Sequence, residues 1–214
     1  MVVFAAAAAA QAGPPALVAV RAPQLELPAA WDDRIAWEAA PAAALDGVDG
    51  AAVQRAGVRA RWNEAGLFFE FLCRDAAIVA PGRADGLDHF RMGDVVEIFV
   101  ARSGAPPYVE VHATPAGCRS VYFFTAERRP GPLPAAADRI AVRAGPVPGG
   151  WRAVLFLPWE AAGGPARPGD WEVLAGRYDY GKPGGDAVLS SFPGQTGRPD
   201  FHRRGRYARL RLRS

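Results

Sequence analysis

The stretch Met92–Phe124, MGDVVEIFVARSGAPPYVEVHATPAGCRSVYFF, constrains the fold more than any other part of the chain. It reads as three antiparallel strands joined by two turns. Val96, Ile98 and Val100 alternate with Val95, Glu97 and Phe99; Val109, Val111 and Ala113 alternate with Tyr108, Glu110 and His112. A period of two places successive side chains on opposite sheet faces. The segment from Arg102 to Pro107, with Gly104 and paired prolines, cannot continue a ladder and makes a short hairpin connection. If Ala101 faces Tyr108, both aliphatic triplets share one face. The other face then carries Glu97 opposite His112 and Phe99 opposite Glu110, because a register that buries one set must bury the other with it. One face is core and the other is polar and aromatic. Two carboxylates, an imidazole and a phenol are more than alternation requires, yet a solvated face laced with ion pairs gives the same pattern, and both readings stay open on residue chemistry alone.

The same period recurs along the chain. Val58–Trp62 and Leu67–Arg74 form a hairpin across Asn63–Gly66, and Ile140–Ala144 pairs with Trp151–Leu157 around Gly145–Gly150. Trp171–Tyr180 is a further strand, and Tyr207–Arg213 alternates Ala208, Leu210 and Leu212 inward with Arg209, Arg211 and Arg213 outward. Leu17–Leu27 carries a weaker strand pattern that Pro23 and Pro28 assign to an edge. Trp31–Ala44 is the one helix-like piece, with Asp32 or Asp33 as cap and Pro41 as stop. About nine strands with almost no helical periodicity predict an all-β chain: an antiparallel two-sheet β-sandwich, jelly-roll-like, with little helix. Glu127–Ala137 is expected to be an exposed loop. Two long loops flank the central strands, where binding residues tend to sit on a rigid scaffold. Ala76–Gly93 holds Asp85, Asp88, His89 and Phe90; Gly181–Arg206 holds Phe192, Phe201 and His202.

At 214 residues the chain fits one domain, residues 15–214, preceded by residues 1–14 as a signal remnant or disordered tail. That tail is an apolar run ending in a signal-peptidase-like A-Q-A-G without the basic n-region. A secreted or periplasmic location follows if it is a remnant, a cytoplasmic one otherwise. No stretch is long and apolar enough to span a bilayer, so no membrane partner is expected. A net charge of +3, carried by arginine with Lys182 as the single lysine, identifies no partner, and the oligomeric state is unconstrained. Cys73 and Cys118 lack companion thiols for a metal site; a disulfide and two free thiols both fit. The turn Leu45–Gly50, LDGVDG, lacks EF-hand spacing and reads as solvated, with a structural calcium as the alternative; no metal ligands and no other cofactor are assigned.

The order of these signals resembles the family 9 carbohydrate-binding modules, non-catalytic β-sandwiches appended to xylan-degrading enzymes. The resemblance runs through Asp32–Trp37, Arg61-Trp62, Leu67-Phe-Phe69 up to Asp75, the motif Asp94-Val-Val-Glu-Ile-Phe99, and Tyr108-Val-Glu110 with Pro115-Ala-Gly117. It continues in Gly150-Trp151, Leu157-Pro-Trp159 and Phe201-His202. It implies saccharide binding in the service of carbohydrate catabolism. A sugar would be sandwiched between two aromatic rings, here Phe90 and Phe201, with Glu97 bonding its hydroxyls. Phenylalanines stand where tryptophans are usual, and Arg91 aligns as an alternative to Phe90. The chemistry suits the role, since sugars present apolar C–H faces to aromatic rings and hydroxyls to a few polar groups. Glu97, Glu110, His112, Arg177 and His202 complete the candidate set.

Two other functions compete. Glu97 and Glu110 lie diagonally on neighbouring strands with Cβ atoms about 7–8 Å apart, a spacing that admits a glycoside-hydrolase pair. A related haem-binding sandwich would use Met92 with His89, His112 or His202 as axial ligands. The arginines at 198, 203, 204, 206, 209, 211 and 213 suggest a nucleic-acid surface, but alternation makes three of them the solvent side of a strand, where charge also protects an edge. That reading assigns no nucleic-acid partner, with an acidic glycan as a second option for the patch.

Overall fold

The computed structural model describes residues 15–32, 35–165, 169 and 171–214. The tail 1–14 and the cap candidate Asp33 lie outside the described residues. The strands are β1 (Ala16–Arg21), β2 (Ala43–Ala44), β3 (Asp46–Gly47), β4 (Ala56–Trp62), β5 (Gly66–Arg74), β6 (Val95–Arg102) and β7 (Tyr108–Ala113). They continue with β8 (Arg119–Ala126), β9 (Arg129–Gly131), β10 (Ala141–Val147), β11 (Gly150–Pro158), β12 (Trp171–Tyr180), β13 (Ala187–Phe192) and β14 (Ala208–Arg213). Among the described residues, helix is confined to three short pieces, α1 (Leu27–Asp32), α2 (Ile35–Glu38) and α3 (Trp159–Ala162), and to isolated 3-10 turns.

Hydrogen bonding runs continuously through β10-β11-β5-β4-β1-β14-β12-β6-β7-β8-β9, and the ribbon folds over itself into two facing layers. Val58, Phe69, Phe71, Trp151 and Leu155 of one layer and Val96, Ile98, Val100, Val109 and Val173 of the other share a single buried core. The expected hairpin register is present: Ala101 pairs with Tyr108, Phe99 with Glu110 and Glu97 with His112. Ile98, Val100, Val109 and Val111 are at most 1% exposed, so the aliphatic face is the core face.

Four expectations need correction. The sandwich is mixed, mainly antiparallel, because β1 runs parallel to both β14 and β4. β1 is therefore interior rather than an edge, since it ends at Arg21 and Pro23 removes no ladder amide. β14 lies between β1 and β12, so Arg209 faces solvent from an interior stretch and protects no edge, while Arg211 and Arg213 face solvent beyond the last β12 pair, at Leu210. Helix begins at Leu27 rather than Trp31, which leaves Asp32 at the end of α1 instead of its cap. The loops also hold more structure than their Gly and Pro content suggests: β13 pairs with β12 inside the second long loop, and β9 pairs with β8.

Candidate functional site

The outward face of β12-β6-β7-β8 is set by register. One row reads Gly176, Glu97, His112, Ser120; the next Leu174, Phe99, Glu110, Tyr122; the third Glu172, Ala101, Tyr108, Phe124. Tyr178 stands beyond the first row on β12. Over this face lies an open cleft of ≈ 390 Å³, floored by Glu97, Phe99, Glu110, Tyr122, Phe124 and Tyr178. One wall is Asp88, Phe90 and Arg91; the other is Pro199 to His202 with Arg128.

Both walls are tied down. The Tyr180 hydroxyl donates to the Phe90 carbonyl at 2.7 Å, the Ser120 hydroxyl to that of Leu87 at 2.6 Å, and the Tyr122 hydroxyl to Asp88 at 3.0 Å. Asp94, which opens the D-x-V-E-I-F motif, accepts from the amides of Val79 and Tyr180 and so fixes the start of β6 to the loop before it. On the second wall the Tyr207 hydroxyl donates to the Phe201 carbonyl at 3.0 Å, and Arg128 pairs with Asp200 at 2.5 Å. Gly176 makes room for Phe201, whose ring would lie 2.9 Å from any Cβ there. Tyr178 then links the two walls, with ring centroids 5.8 Å from Phe90 and 5.9 Å from Phe201.

Under the floor sits a buried triad. His112 is fully buried, and its Nε2 lies 2.5 Å from Glu110 Oε1 and 3.2 Å from Glu97 Oε1. Burial pushes the Glu97 carboxyl up to about 8 against the attraction of His112, with Glu110 adding to the rise. Burial opposes charge on His112 as well, but Glu97 and Glu110 outweigh it and the imidazole is held above its ordinary value. Glu110 Oε2 and His112 Nδ1 have no hydrogen-bond partner. His202 accepts or donates at Nδ1 to the Tyr108 hydroxyl at 2.9 Å, and burial lowers its pKa even though Glu110 pulls the other way.

The polar groups on the core side behave differently. Arg177 shares the strand parity of Trp171, Val173 and Ala175, and it is fully buried among Asp75 and Asp179, each 3.2 Å away, and the carbonyls of Gln54 and Arg74. It does not line the cleft. Asp75, Asp94 and Asp179 bring oxygens within 4.8 Å of one another, but Arg177, the Trp151 and Gln54 side chains and backbone amides already supply their donors. Glu97, Glu110 and His112 likewise bring oxygen and nitrogen atoms within 4.8 Å of one another, with Nε2 and the Glu110 Oε1 at hydrogen-bond distance, 2.5 Å. Asp46 and Asp49 of the LDGVDG turn are exposed, and Asp49 accepts from the Gly197 amide. Of the three histidines offered as axial haem ligands, His112 Nε2 is held by two carboxylates, His89 Nε2 meets the Ala84 carbonyl at 3.0 Å, and His202 Nδ1 meets the Tyr108 hydroxyl at 2.9 Å. Cys73 and Cys118 are free thiols.

No protein-family profile matches the sequence, and no curated protein matches it. Solved structures do. A candidate carbohydrate-binding protein from Bacteroides uniformis ATCC 8492 superposes with a TM-score of 0.78 at 14% identity, over 94% of this chain and 100% of that one. A family 9 carbohydrate-binding module from Caldicellulosiruptor kristjanssonii matches in complex with cellotriose (TM-score 0.66, 11% identity, 93% of this chain and 94% of that one). It also matches in complex with glucose (TM-score 0.69, 10% identity, 93% and 96%). The chain has the fold of a family 9 carbohydrate-binding module. Of the residues proposed from sequence, this module fold brings Phe90, Glu97, Glu110, Phe201 and His202 to one cleft and His112 beneath it, and leaves Arg177 on the other side of the sheet. Sequence reasoning missed Tyr122, Phe124, Arg128, Tyr178 and Asp200. Strand parity carried the signal for three of them: Tyr122 and Phe124 follow from pairing with Glu110 and Tyr108, and Tyr178 from Leu174.

No helix of the described residues is long and apolar enough to cross a membrane.

Proposed function

We propose that the protein binds a saccharide without catalysis, in the cleft between the loop preceding β6 and the loop preceding β14. The observation that carries this reading is the cleft itself. An aromatic floor and Phe90, partly exposed on one wall, lie beside two buried carboxylates and rim guanidinium groups, on a fold shared with modules in complex with glucose and cellotriose. Sugar C–H faces pack on such rings while their hydroxyls take the polar groups. Phe90 supplies the stacking face, with the Arg91 guanidinium carbon 5.2 Å from its ring centroid. Phe201, 5% exposed, backs Phe99 and Tyr178 and sets the depth of the cleft. Arg128 with Asp200 and Arg91 with Asp88 are ion pairs on opposite rims, so the mouth offers donors and acceptors with little net charge, which suits neutral hydroxyls.

A glycosidase reading has less support. Catalytic carboxylates face each other across the scissile bond at about 5–5.5 Å or 6.5–9.5 Å. Glu97 and Glu110 are instead neighbours bridged by one imidazole nitrogen. Calorimetric titration with gluco-, xylo- and manno-oligosaccharides tests the proposal: at least one should bind, and Phe90→Ala should weaken it about five- to tenfold, roughly the worth of one aromatic contact. Release of reducing sugar that disappears in Glu97→Gln would favour the hydrolytic reading instead.

A further inference from the structure

The buried triad contains more sites for protons than a simple carboxylate pair, and its geometry decides where they sit. His112 Nε2 is 2.5 Å from Glu110 Oε1 but 3.2 Å from Glu97 Oε1, so with a proton on Nε2 its hydrogen bond belongs to Glu110. A charged His112 and an ionised Glu110 then neutralise each other, and an ionised Glu97 would be a third buried charge with no donor of its own. Uncompensated charge at a site 2% exposed is costly, and a second proton removes it. Among the described residues no cation reaches in to do the same: Arg128 is engaged by Asp200 and Arg91 by Asp88, and the other titratable groups over this floor, Tyr122, Tyr178 and His202, bring no positive charge at neutral pH.

We infer that Glu97 acts in the cleft as a carboxylic acid, donating its O–H to a lone pair of a saccharide oxygen, while Glu110 holds the hydrogen bond of His112 Nε2. The inference rests on the saccharide reading above and names the role of one residue within it. It sets a selection rule, since a ligand must present an acceptor oxygen to the Glu97 O–H, and a group with no lone pair there leaves that buried donor unsatisfied. It also links binding to a proton: affinity is complete while Glu97 holds it and falls as pH rises through the value, about 8, to which burial lifts the group.

Two measurements test this, one of them without ligand. Carboxyl NMR of the free protein labelled in glutamate should show Glu97 titrating near pH 8; labelled glutamate leaves Asp94, which burial lifts to about 7, silent. Cellotriose affinity should fall about tenfold between pH 7 and pH 9. In Glu97→Gln, whose amide donates at every pH, the ratio of the two affinities should stay near one. A Glu97 carboxyl titrating between pH 4 and 5 overturns the inference, as does an equal fall with pH in wild type and Glu97→Gln. If cellotriose and its relatives bind at no pH while Glu97 titrates near 8, the saccharide reading fails and the proton placement stands.

Discussion

Two buried polar clusters lie on opposite faces of the β12-β6-β7 sheet, and they differ in how completely their carboxylates are hydrogen-bonded. Around Arg177, the carboxylates of Asp75, Asp94 and Asp179 accept from guanidinium, indole, amide and backbone donors, and Arg177 also donates to two carbonyls. Around His112, one carboxylate oxygen and one ring nitrogen have no partner, and the cluster opens through Glu97 and Glu110 to a cleft. The first welds the start of β6 to β5, β11 and β12; the second holds unused hydrogen-bonding capacity beside an aromatic floor. Burial and charge alone would not tell them apart. The carboxylates do: those around Arg177 all have donors and only Arg177 Nε goes without a partner there, whereas Glu110 Oε2 is an unmet acceptor beside the cleft, a cost that a fold keeps only where something else depends on it.

Substitutions should separate the two. Arg177→Ala strands buried carboxylates and should cost about 3–5 kcal/mol in chemical denaturation; a loss below about 1 kcal/mol would mean the cluster is not what joins the layers. Next in size is an alkaline loss of stability. Burial raises Glu97 to about 8 and Asp94 to about 7, from ordinary values of 4.5 and 3.8, so the folded state holds both protons more tightly than the unfolded chain. Their stabilising contribution is whole at acid pH and is lost as pH rises through those values, at up to roughly 1.4 kcal/mol per pH unit for each group. Urea midpoints should therefore fall between pH 5.5 and 8.5, less steeply in Glu97→Gln; a midpoint that climbs over that range would reverse the sign of the account. Phe90→Ala should move stability by less than Arg177→Ala does while taking away about 1–1.5 kcal/mol of saccharide affinity. The smallest effect belongs to Arg211→Ser on the solvent face of β14, expected within about 0.5 kcal/mol in stability and without effect on binding. Loss of binding in that variant would move the site to the arginine face.

The central hairpin was legible because three constraints agree there: alternation, a turn that cannot pair, and two aliphatic triplets that must share a face. Glu97, Glu110 and His112 follow from it directly. Arg177 was misplaced although its strand carried the information, since Trp171, Val173 and Ala175 fix its parity and only its charge argued for the outer face. Prolines misled at β1, where Pro23 lies just past the strand end, and glycines and prolines on either side concealed β13. The rim residues Arg128 and Asp200 come from loops far apart in sequence, and their ion pair exists only once β8 and the loop before β14 have been brought together. Local pattern holds no trace of such a contact.

The most direct test of the cleft is a chemical-shift map. Titrating glucose and cello-oligosaccharides into 15N-labelled protein should perturb amides of Phe90, Arg91, Arg128 and Asp200–His202, together with Glu97 and Glu110 on the floor, and leave those of Arg74, Asp75 and Asp179 in place. Shifts centred on the Arg177 cluster or on β14, with the cleft residues unmoved, would contradict the account.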